Sequence, residues 1–369
     1  MDIGGYKLNH PEEIETPAML VYEDLVQHNI REIMRICGSP QRVVPHFKTH
    51  KSAAVLKLQM QAGISALKVS TVKEAEVLAE NGVKEIIVAY PIPHRKKLER
   101  LMALKKLYPG ADIKVIASTP EHLNVMSQAA TAHKQRLGVY LDLDPGMHRT
   151  GVQPGEEAGR FYARIARTPG LKPSGIHCYD GSVGGSAEPE PRKVVVQKNL
   201  EHIHDTIDRA RRQGLDVPDV VAGGSWSFSF YVADEDVRVS PGKWIYWDLM
   251  NAVMTDLNFK MAAVVLGQVV DRNVGQDTVT VDLGVKGISD DPPTPRRFKV
   301  VGNEAMELVS QSEEHGVVKR NGANLGVGDF FLARPGHVCS TTVKYPYALV
   351  INRQGDVTGR YDHQARDRE

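Results

Sequence analysis

The feature that most constrains this chain is an alternation of short apolar runs with amphipathic stretches. Eight runs rich in β-branched residues are separated by segments with the spacing and end signals of helices. The runs are residues 42–50, 66–71, 85–91, 112–118, 137–144, 175–181, 219–225 and 237–244. Such alternation is typical of an α/β protein with a parallel sheet. The count of eight, without Gly-x-Gly-x-x-Gly after the first run, favours a (β/α)8 TIM-like barrel over an open doubly wound sheet, the competing arrangement.

The pattern changes after residue 244. Residues 259–352 hold short β-rich runs with turn signals between them and no helical spacing. The runs are residues 264–271, 278–283, 298–301, 307–312, 330–334 and 347–352. We therefore expect a barrel over residues 16–244 and an all-β C-terminal domain over residues 245–369, with a polar tail that frays from residue 354.

Composition and charge exclude several classes of partner. Apolar residues make up 41% and charged residues 25% of the 369 residues, as in an ordinary soluble protein of about two domains. The 46 basic and 45 acidic residues form no long basic run, which argues against a nucleic-acid partner. Three scattered cysteines fit a reduced, cytoplasmic protein. No signal peptide and no apolar stretch of roughly 20 residues is present, so no membrane partner is expected.

Lys48 is the strongest candidate for chemistry, because it ends the first apolar run in a crowded basic setting. It lies between His46 and His50, with Lys51 three positions further on. At the carboxyl end of a first barrel strand it would lie on the catalytic face. Partial desolvation and neighbouring cations lower the pKa of a lysine, and the free amine can then hold a carbonyl compound as a Schiff base. The alternative is a basic loop on a solvated surface.

Polar residues and glycines follow the other predicted strands and should converge on the same volume. The candidate cofactor contacts among them are Ser70, Thr71, Arg149, Tyr179, Gly223, Gly224 and Ser225. In the last three, the glycines allow close backbone approach, so that N–H groups and the serine hydroxyl could cradle a phosphate. A tight strand-to-helix turn that requires glycine explains the same residues.

A Schiff-base lysine and a phosphate cradle in one barrel indicate pyridoxal phosphate as the cofactor. This cofactor also needs a group that faces its pyridine nitrogen and a ring to stack against. Arg149 is suited to the first task and Tyr179 to the second. Taken singly, Arg149 also fits a surface ion pair and Tyr179 a core aromatic residue.

A second candidate site is His337-Val338-Cys339 in the predicted β domain. Residues two apart on a strand share a face, so the imidazole and the thiolate could hold one divalent ion. Two protein ligands with open positions suit a catalytic metal. Zinc matches these ligands best, and manganese or magnesium are the other candidates. The alternative is a buried histidine–cysteine pair without a metal.

Taken in order along residues 16–352, these motifs resemble the D-threonine aldolase and D-serine dehydratase family. Members are fold-type III pyridoxal-phosphate enzymes with an alanine-racemase-like barrel and a β domain. The motifs are Pro45-His46-x-Lys48-Thr49-His50-Lys51, Arg149-Thr150-Gly151, Tyr179-Asp180-Gly181, Gly223-Gly224-Ser225, Glu313-Glu314-His315-Gly316 and His337-x-Cys339. Each motif is weak alone, whereas the ordered set is specific.

The resemblance implies a role for each matching residue. Lys48 would be the Schiff-base lysine, and Arg149 would face the pyridine nitrogen. Tyr179 would pack at the cofactor, and the cofactor phosphate would bind at Gly223, Gly224 and Ser225. His337 and Cys339 would hold the divalent metal beside the β-hydroxyl of the substrate. The resemblance also implies a homodimer and an N-terminal segment, up to residue 15, that joins the β domain.

The implied activity is that of a lyase on β-hydroxy-D-amino acids. Aldol cleavage would give glycine and an aldehyde, whereas a dehydratase would give a 2-oxo acid and ammonia. An amino-acid racemase and a non-catalytic pyridoxal-phosphate-binding protein are the further alternatives.

Two departures of this sequence from the family pattern leave the reaction open. Some aldolases have an aspartate in place of Cys339, and the residues after Tyr179 lack the histidine that aldolases often carry there.

Overall fold

The computed structural model describes residues 1–369. Its strands are β1 Asp2–Ile3, β2 Tyr6–Lys7, β3 Ala18–Tyr22, β4 Ala66–Val69, β5 Glu85–Val88, β6 Asp112–Ala117, β7 Leu137–Leu143, β8 Leu171–Cys178, β9 Val220–Ala222, β10 Val237–Val239, β11 Ala263–Asn273, β12 Thr278–Val281, β13 Phe298–Val300, β14 Glu307–Gln311, β15 Gly316–Lys319, β16 Phe330–Pro335, β17 Tyr347–Ile351 and β18 Val357–Asp362. Its α-helices are α1 Glu23–Cys37, α2 Ala53–Gln61, α3 Val72–Glu80, α4 Arg95–Leu107, α5 Pro120–Ala132, α6 Glu156–Arg167, α7 Pro189–Arg212, α8 Phe228–Tyr231 and α9 Val338–Thr342. None of these helices combines the length and the hydropathy that a membrane crossing requires.

The predicted parallel sheet is present. Seven strands pair in the order β10-β9-β8-β7-β6-β5-β4, and every neighbouring pair is parallel. Helices lie between most of the strands along the chain, as the alternation predicted. Side chains from five of these strands form one buried cluster, which comprises Ala66, Ile87, Ile116, Tyr140 and Val221 together with Val44. The α/β class with a parallel sheet is therefore confirmed.

The first predicted run, residues 42–50, does not form a strand. It contains two 3-10 turns, Pro40–Arg42 and Phe47–Thr49 at its ends, and makes two isolated parallel bridges. Val43 bridges Val239 in β10, and His46 bridges Lys68 in β4. The segment thus contacts both edge strands of the seven-stranded sheet and lies where an eighth strand of a barrel would lie. Pro45 lies between the bridging residues and has no N–H to donate, which prevents a continuous ladder.

Contacts divide the chain into two compact units. One, the sheet unit, comprises residues 34–48, 59–242 and 367–369, and contains the parallel sheet. The other, the β unit, comprises residues 1–33, 49–58 and 243–366. The sequence predicts residues 16–33 as part of the barrel, whereas the contacts group them with the β unit. The apolar run of β3 pairs there with β11 in antiparallel and with β17 in parallel orientation.

The β unit contains the short strands that the sequence predicted, in the order β14-β15-β12-β11-β3-β17-β18, with β16 pairing to both β11 and β13. Two expectations are wrong here. The tail does not fray from residue 354, because β18 pairs with β17 and buries Tyr361. The region is also not free of helix, because α9 follows β16. In β18 the polar residues form a hairpin ladder with the neighbouring strand β17, so their backbone groups are satisfied despite their polarity.

Candidate active site

A cavity of about 400 Å³ opens at the carboxyl ends of the parallel strands, in the sheet unit. It is lined by His46, Lys48, Lys68, Ser70, Ala89, Tyr90, Pro91, Ile116, Arg149, Thr150, His177 and Tyr179. Four of the predicted site residues are thus brought together there, namely Lys48, Ser70, Arg149 and Tyr179. A pocket with a few converging polar groups at this edge of a parallel sheet is the usual position of a ligand site in α/β proteins.

Lys48 lies in the 3-10 turn that follows the bridging segment. Its backbone N–H donates to His46 Nδ1 at 3.2 Å, which fixes the direction of the turn. The side chain is partly buried and lines the cavity. Its amino group forms no hydrogen bond and no ion pair within the protein. A cavity-facing amine without a protein partner is the arrangement that capture of an aldehyde requires.

Tyr179 and Arg149 form a stacked pair on the cavity wall. The guanidinium carbon of Arg149 lies 4.9 Å from the centroid of the Tyr179 ring. A Cβ atom at Gly224 would lie only 2.9 Å from Cε2 of this ring, so the ring position requires glycine there. The pair offers a flat face and a cation that carries no ion pair with any carboxylate.

Asp144 holds the loop that carries Arg149. One of its carboxylate oxygens accepts the N–H groups of Gly146, Met147 and His148 at 2.9–3.0 Å. Its other oxygen contacts the imidazole of His148. Asp144 is almost fully buried, and the backbone hydrogen bonds, which outweigh the effect of burial, lower the pKa of its carboxyl. The loop is therefore fixed by a charged residue that the sequence analysis did not select.

The predicted phosphate cradle is arranged differently from the expectation. The N–H of Gly223 donates to a carbonyl of β8 at 2.9 Å, and the N–H of Gly224 donates to Ser227 Oγ at 3.0 Å. Ser225 Oγ accepts the N–H of Gly242 at 3.1 Å. Gly223, Gly224 and Ser225 are not among the residues that line the cavity. Both glycine N–H groups are used within the protein, and the glycines make room for aromatic rings: Gly223, at φ +81°, adjoins the ring of Tyr231.

Ser70 and Thr71 have separate positions. Ser70 lines the cavity, and its hydroxyl donates to the carboxylate of Glu74 at 3.1 Å. Thr71 is the N-cap of α3 and accepts the N–H of Glu74 through its hydroxyl, also at 3.1 Å. Thr71 therefore begins a helix and is not among the residues that line the cavity.

The sequence analysis missed a buried polar chain beside Lys48. Lys68 is 2% exposed, and its amine lies 3.3 Å from His177 Nε2, while Nδ1 of that imidazole lies 2.7 Å from Asp142. Burial, and next the charge of Lys48, lower the pKa of Lys68 to about 7. Burial also lowers the pKa of His177. A signal was available for two of them: Lys68 in β4 and Asp142 in β7 each interrupt a strand whose other residues are hydrophobic or glycine.

The candidate metal ligands lie at the start of α9 in the β unit. His337 is the N-cap residue and Cys339 the second helical residue, so the argument from a shared strand face is wrong. The two side chains nevertheless contact each other through a hydrogen bond. Asp291 accepts a hydrogen bond from Nδ1 of His337 at 2.5 Å. The position of α9 is fixed by Asp248, a buried carboxylate that accepts the first helical N–H at 3.1 Å.

The donor set suits a divalent metal with open positions. Burial alone lowers the pKa of His337, but the contacts with Cys339 and Asp291 raise it to about 9. With Nδ1 engaged by Asp291, Nε2 is the nitrogen left for a metal, in the arrangement by which carboxylates orient metal-ligating histidines. No group of three or more His, Cys, Asp and Glu side chains comes together in the chain as a metal site. A metal here would have two protein ligands, His337 and Cys339.

A parallel sheet with a lysine in a cavity at its carboxyl edge, followed in the chain by antiparallel strands, defines the alanine-racemase class of α/β proteins. The chain belongs to the family of the alanine racemase N-terminal domain, whose family model matches residues 21–249. The family model of the serine dehydratase domain matches residues 262–351. The family resemblance that the ordered motifs indicated is thus confirmed.

Relatives and solved structures cover nearly the whole chain. The chain is 27% identical to 3-hydroxy-D-aspartate aldolase of Paracoccus denitrificans, over 96% of the chain and 95% of the relative. It is 26% identical to D-threo-3-hydroxyaspartate dehydratase of Delftia sp. (strain HT23), over 93% and 96%. The crystal structure of D-threonine aldolase from Filomicrobium marinum superposes with a TM-score of 0.90 at 26% identity, covering 98% of both chains.

Proposed function

We propose that this protein is a pyridoxal-phosphate- and divalent-metal-dependent lyase of β-hydroxy-D-amino acids. Its proposed reaction is retro-aldol cleavage of the D-threonine aldolase type, which yields glycine and an aldehyde. The observation that carries the proposal is the amine of Lys48, which faces the cavity without a partner beside the Tyr179–Arg149 pair. Full-length similarity to proteins named as two aldolases and a dehydratase supports the class of substrate.

The cavity residues fit the cofactor. Lys48 would hold its aldehyde carbon, the Tyr179 face would stack on its ring, and Arg149 would face the ring nitrogen. Ser70 would be a further cavity contact, and we propose that the phosphate binds at the loop of Gly223, Gly224 and Ser225. When bound, pyridoxal phosphate serves as an electron sink for the electron pair that bond cleavage leaves on Cα of the substrate.

The metal is assigned to His337 and Cys339. A divalent ion at these ligands would act as a Lewis acid toward the β-hydroxyl of the substrate. Asp291 keeps the His337 imidazole in the tautomer that leaves Nε2 for the metal, and Asp248 holds the helix that carries both ligands. Zinc is the metal that this pair of ligands favours.

Dehydration is the second candidate, and Cys339 is the observation that favours it. A metal-binding cysteine at this position is the form that resembles the dehydratases, and one relative of the chain is a D-threo-3-hydroxyaspartate dehydratase. In this reaction a base removes the proton on Cα, and the β-hydroxyl leaves. The products are a 2-oxo acid and ammonia.

Product identification separates the two reactions. The purified holoenzyme with zinc or manganese is incubated with D-threonine and with D-threo-3-hydroxyaspartate. Glycine with acetaldehyde or glyoxylate supports aldol cleavage, whereas 2-oxobutanoate or oxaloacetate with ammonia supports dehydration. Neither set of products from either substrate would contradict the proposed class of reaction.

Variants test the two assigned sites. Lys48→Ala should lose the visible absorbance of the bound cofactor and at least about 10³-fold in turnover, since it removes the covalent anchor. Lys96→Met, at an exposed position on α4, is the matched control and should keep both. Activity that survives complete chelation would contradict the metal role. The proposed homodimer is tested by light scattering of the same preparations.

A further inference from the structure

Lys68 is a second amine in the cavity of Lys48. It is contributed by β4, lines the cavity and is 2% exposed. Lysine is almost never buried without a compensating partner, because removing an ammonium ion from water is costly. No carboxylate lies within ion-pair distance of this amine, and its hydrogen-bond partner is the imidazole of His177. The surroundings therefore favour the neutral form of Lys68.

The hydrogen bonds of His177 determine which of its two ring nitrogens carries the hydrogen. Asp142 can only accept, so Nδ1 of His177, at 2.7 Å, carries the hydrogen of that contact. Nε2 is then the acceptor and receives an N–H from Lys68 at 3.3 Å. A neutral Lys68 that donates one N–H in this way keeps its lone pair for the cavity. His177 and Asp142 thereby hold the amine in place.

The charged groups around Lys68 shift its pKa in opposite directions. The groups that face it are Lys48, Arg149, His177, Asp142, Asp180 and the ring of Tyr179. Burial and the two neighbouring cations disfavour a proton on Lys68, and the two carboxylates favour it. These influences bring the pKa of Lys68 to about 7, which is where a general base is most effective.

We propose that Lys68 is the acid–base residue of the cavity, which accepts the proton of the substrate β-hydroxyl and returns it to Cα. The inference rests on the proposed retro-aldol function. The O–H electron pair becomes the second bond of the aldehyde as the Cα–Cβ bond breaks, and its proton moves to the lone pair of Lys68. The Cα–Cβ electron pair remains on Cα, and the Lys68 ammonium then protonates that carbon. Glycine and an aldehyde leave, with no net change in protons or electrons.

The first test needs no cofactor and no activity. The apoprotein is labelled with [ε-13C]lysine, and the Cε resonances are followed from pH 5 to pH 11. We expect one resonance with a midpoint near 7 that is absent from Lys68→Met and unchanged in Lys96→Met. If every resonance lost in Lys68→Met titrates above pH 9, Lys68 is charged at neutral pH and the proposal is overturned.

The second test separates proton transfer from packing. In the holoenzyme, Lys68→Met should lower kcat for D-threonine cleavage about 10²- to 10⁴-fold, while the dissociation constant of the cofactor changes less than about 10-fold. Lys68→Arg keeps the positive charge but cannot accept a proton, so it should not restore kcat. Small primary amines should restore part of the activity of Lys68→Ala. Full activity of Lys68→Arg would overturn the proposal.

The outcomes distinguish this inference from the proposed function. A wild-type enzyme that cleaves D-threonine together with an equally active Lys68→Met variant overturns the role of Lys68 alone. A wild-type enzyme that does not cleave any β-hydroxy-D-amino acid overturns the proposed function, and the cleavage role of Lys68 with it. If Lys68→Met does not fold, as judged by circular dichroism, Lys68→Gln replaces it and the same comparisons decide.

Discussion

Arg238 is the central cation of a charge network at the amino-terminal ends of the parallel strands, remote along these strands from the cavity. Its guanidinium donates to both oxygens of Glu85 at 2.9 Å and to Asp219 at 2.7 Å. These three side chains keep only 17–20% of their exposure. Arg238→Met would preserve most of the packing of the side-chain stem and remove the cation that both carboxylates share.

Two estimates of the free energy of unfolding that Arg238→Met would lose are of the same order. Removing one partner of a buried ion pair costs about 3–5 kcal/mol, and the lower end applies because these side chains keep some contact with water. Burial raises the pKa of Glu85, but Arg238 and Lys114 outweigh it and lower the pKa from 4.5 to about 2. At about 1.4 kcal/mol per pKa unit, this shift corresponds to about 3 kcal/mol, which is the net effect of burial, Arg238 and Lys114 together and is of the same order. We expect Arg238→Met to lower the free energy of unfolding of the sheet unit by about 3 kcal/mol at pH 7.

The sign of the pH dependence follows from the same shift. A carboxyl whose pKa is lowered by folding contributes stability above its ordinary pKa and loses it as pH falls through the folded value. The difference between wild type and Arg238→Met should therefore be full above about pH 4.5 and should shrink toward pH 2.

Native-state hydrogen exchange of peptides from β5 and β9 measures the stability of this unit separately from the β unit. Arg95→Met is the control, because Arg95 pairs with Glu99 on the exposed surface of α4 and its loss should leave exchange unchanged. A loss below about 1 kcal/mol for Arg238→Met, or a difference that persists to pH 2, would refute the reasoning. Cleavage activity below the unfolding transition should stay at the wild-type level.

Three further predictions concern the site. Asp291→Asn should weaken zinc binding about 10- to 100-fold, measured by competition with a chromogenic chelator, because it removes the carboxylate that orients the ligating imidazole; unchanged affinity would contradict this role. Gly224→Ala should displace the ring of Tyr179, since the new Cβ lies 2.9 Å from it, and should raise the dissociation constant of the cofactor, measured by absorbance, at least several-fold. Asp144→Ala should release the loop of Arg149 and weaken cofactor binding about 10-fold, whereas the exposed control Glu157→Ala should not.

Much of the sheet unit could be predicted because its signals are local. Runs such as 85–88 and 112–117 are apolar, β-branched and bounded by turn residues, and these patterns persist whatever the rest of the chain does. The first run failed as a strand because Pro45 lacks an N–H, a feature that was visible in the sequence but was outweighed by its apolar neighbours. The strand β3 was missed as a member of the β sheet because pairing partners 240 or more residues away leave no local signal.

The residues of the candidate site likewise fall into two groups, those that the sequence indicated and those that only the structure revealed. Lys48, Arg149 and Tyr179 were identified from residue type, from their positions after predicted strands and from the order of the motifs, all of which a sequence contains. The structure alone revealed Lys68 and His177 as a hydrogen-bonded pair, because 109 residues separate them and neither local segment indicates the other. The sequence by itself determined the class of fold and the lysine that lines the cavity at the carboxyl edge of its sheet. Tertiary structure decided which buried groups surround that lysine, since burial and charge depend on neighbours that only folding brings together.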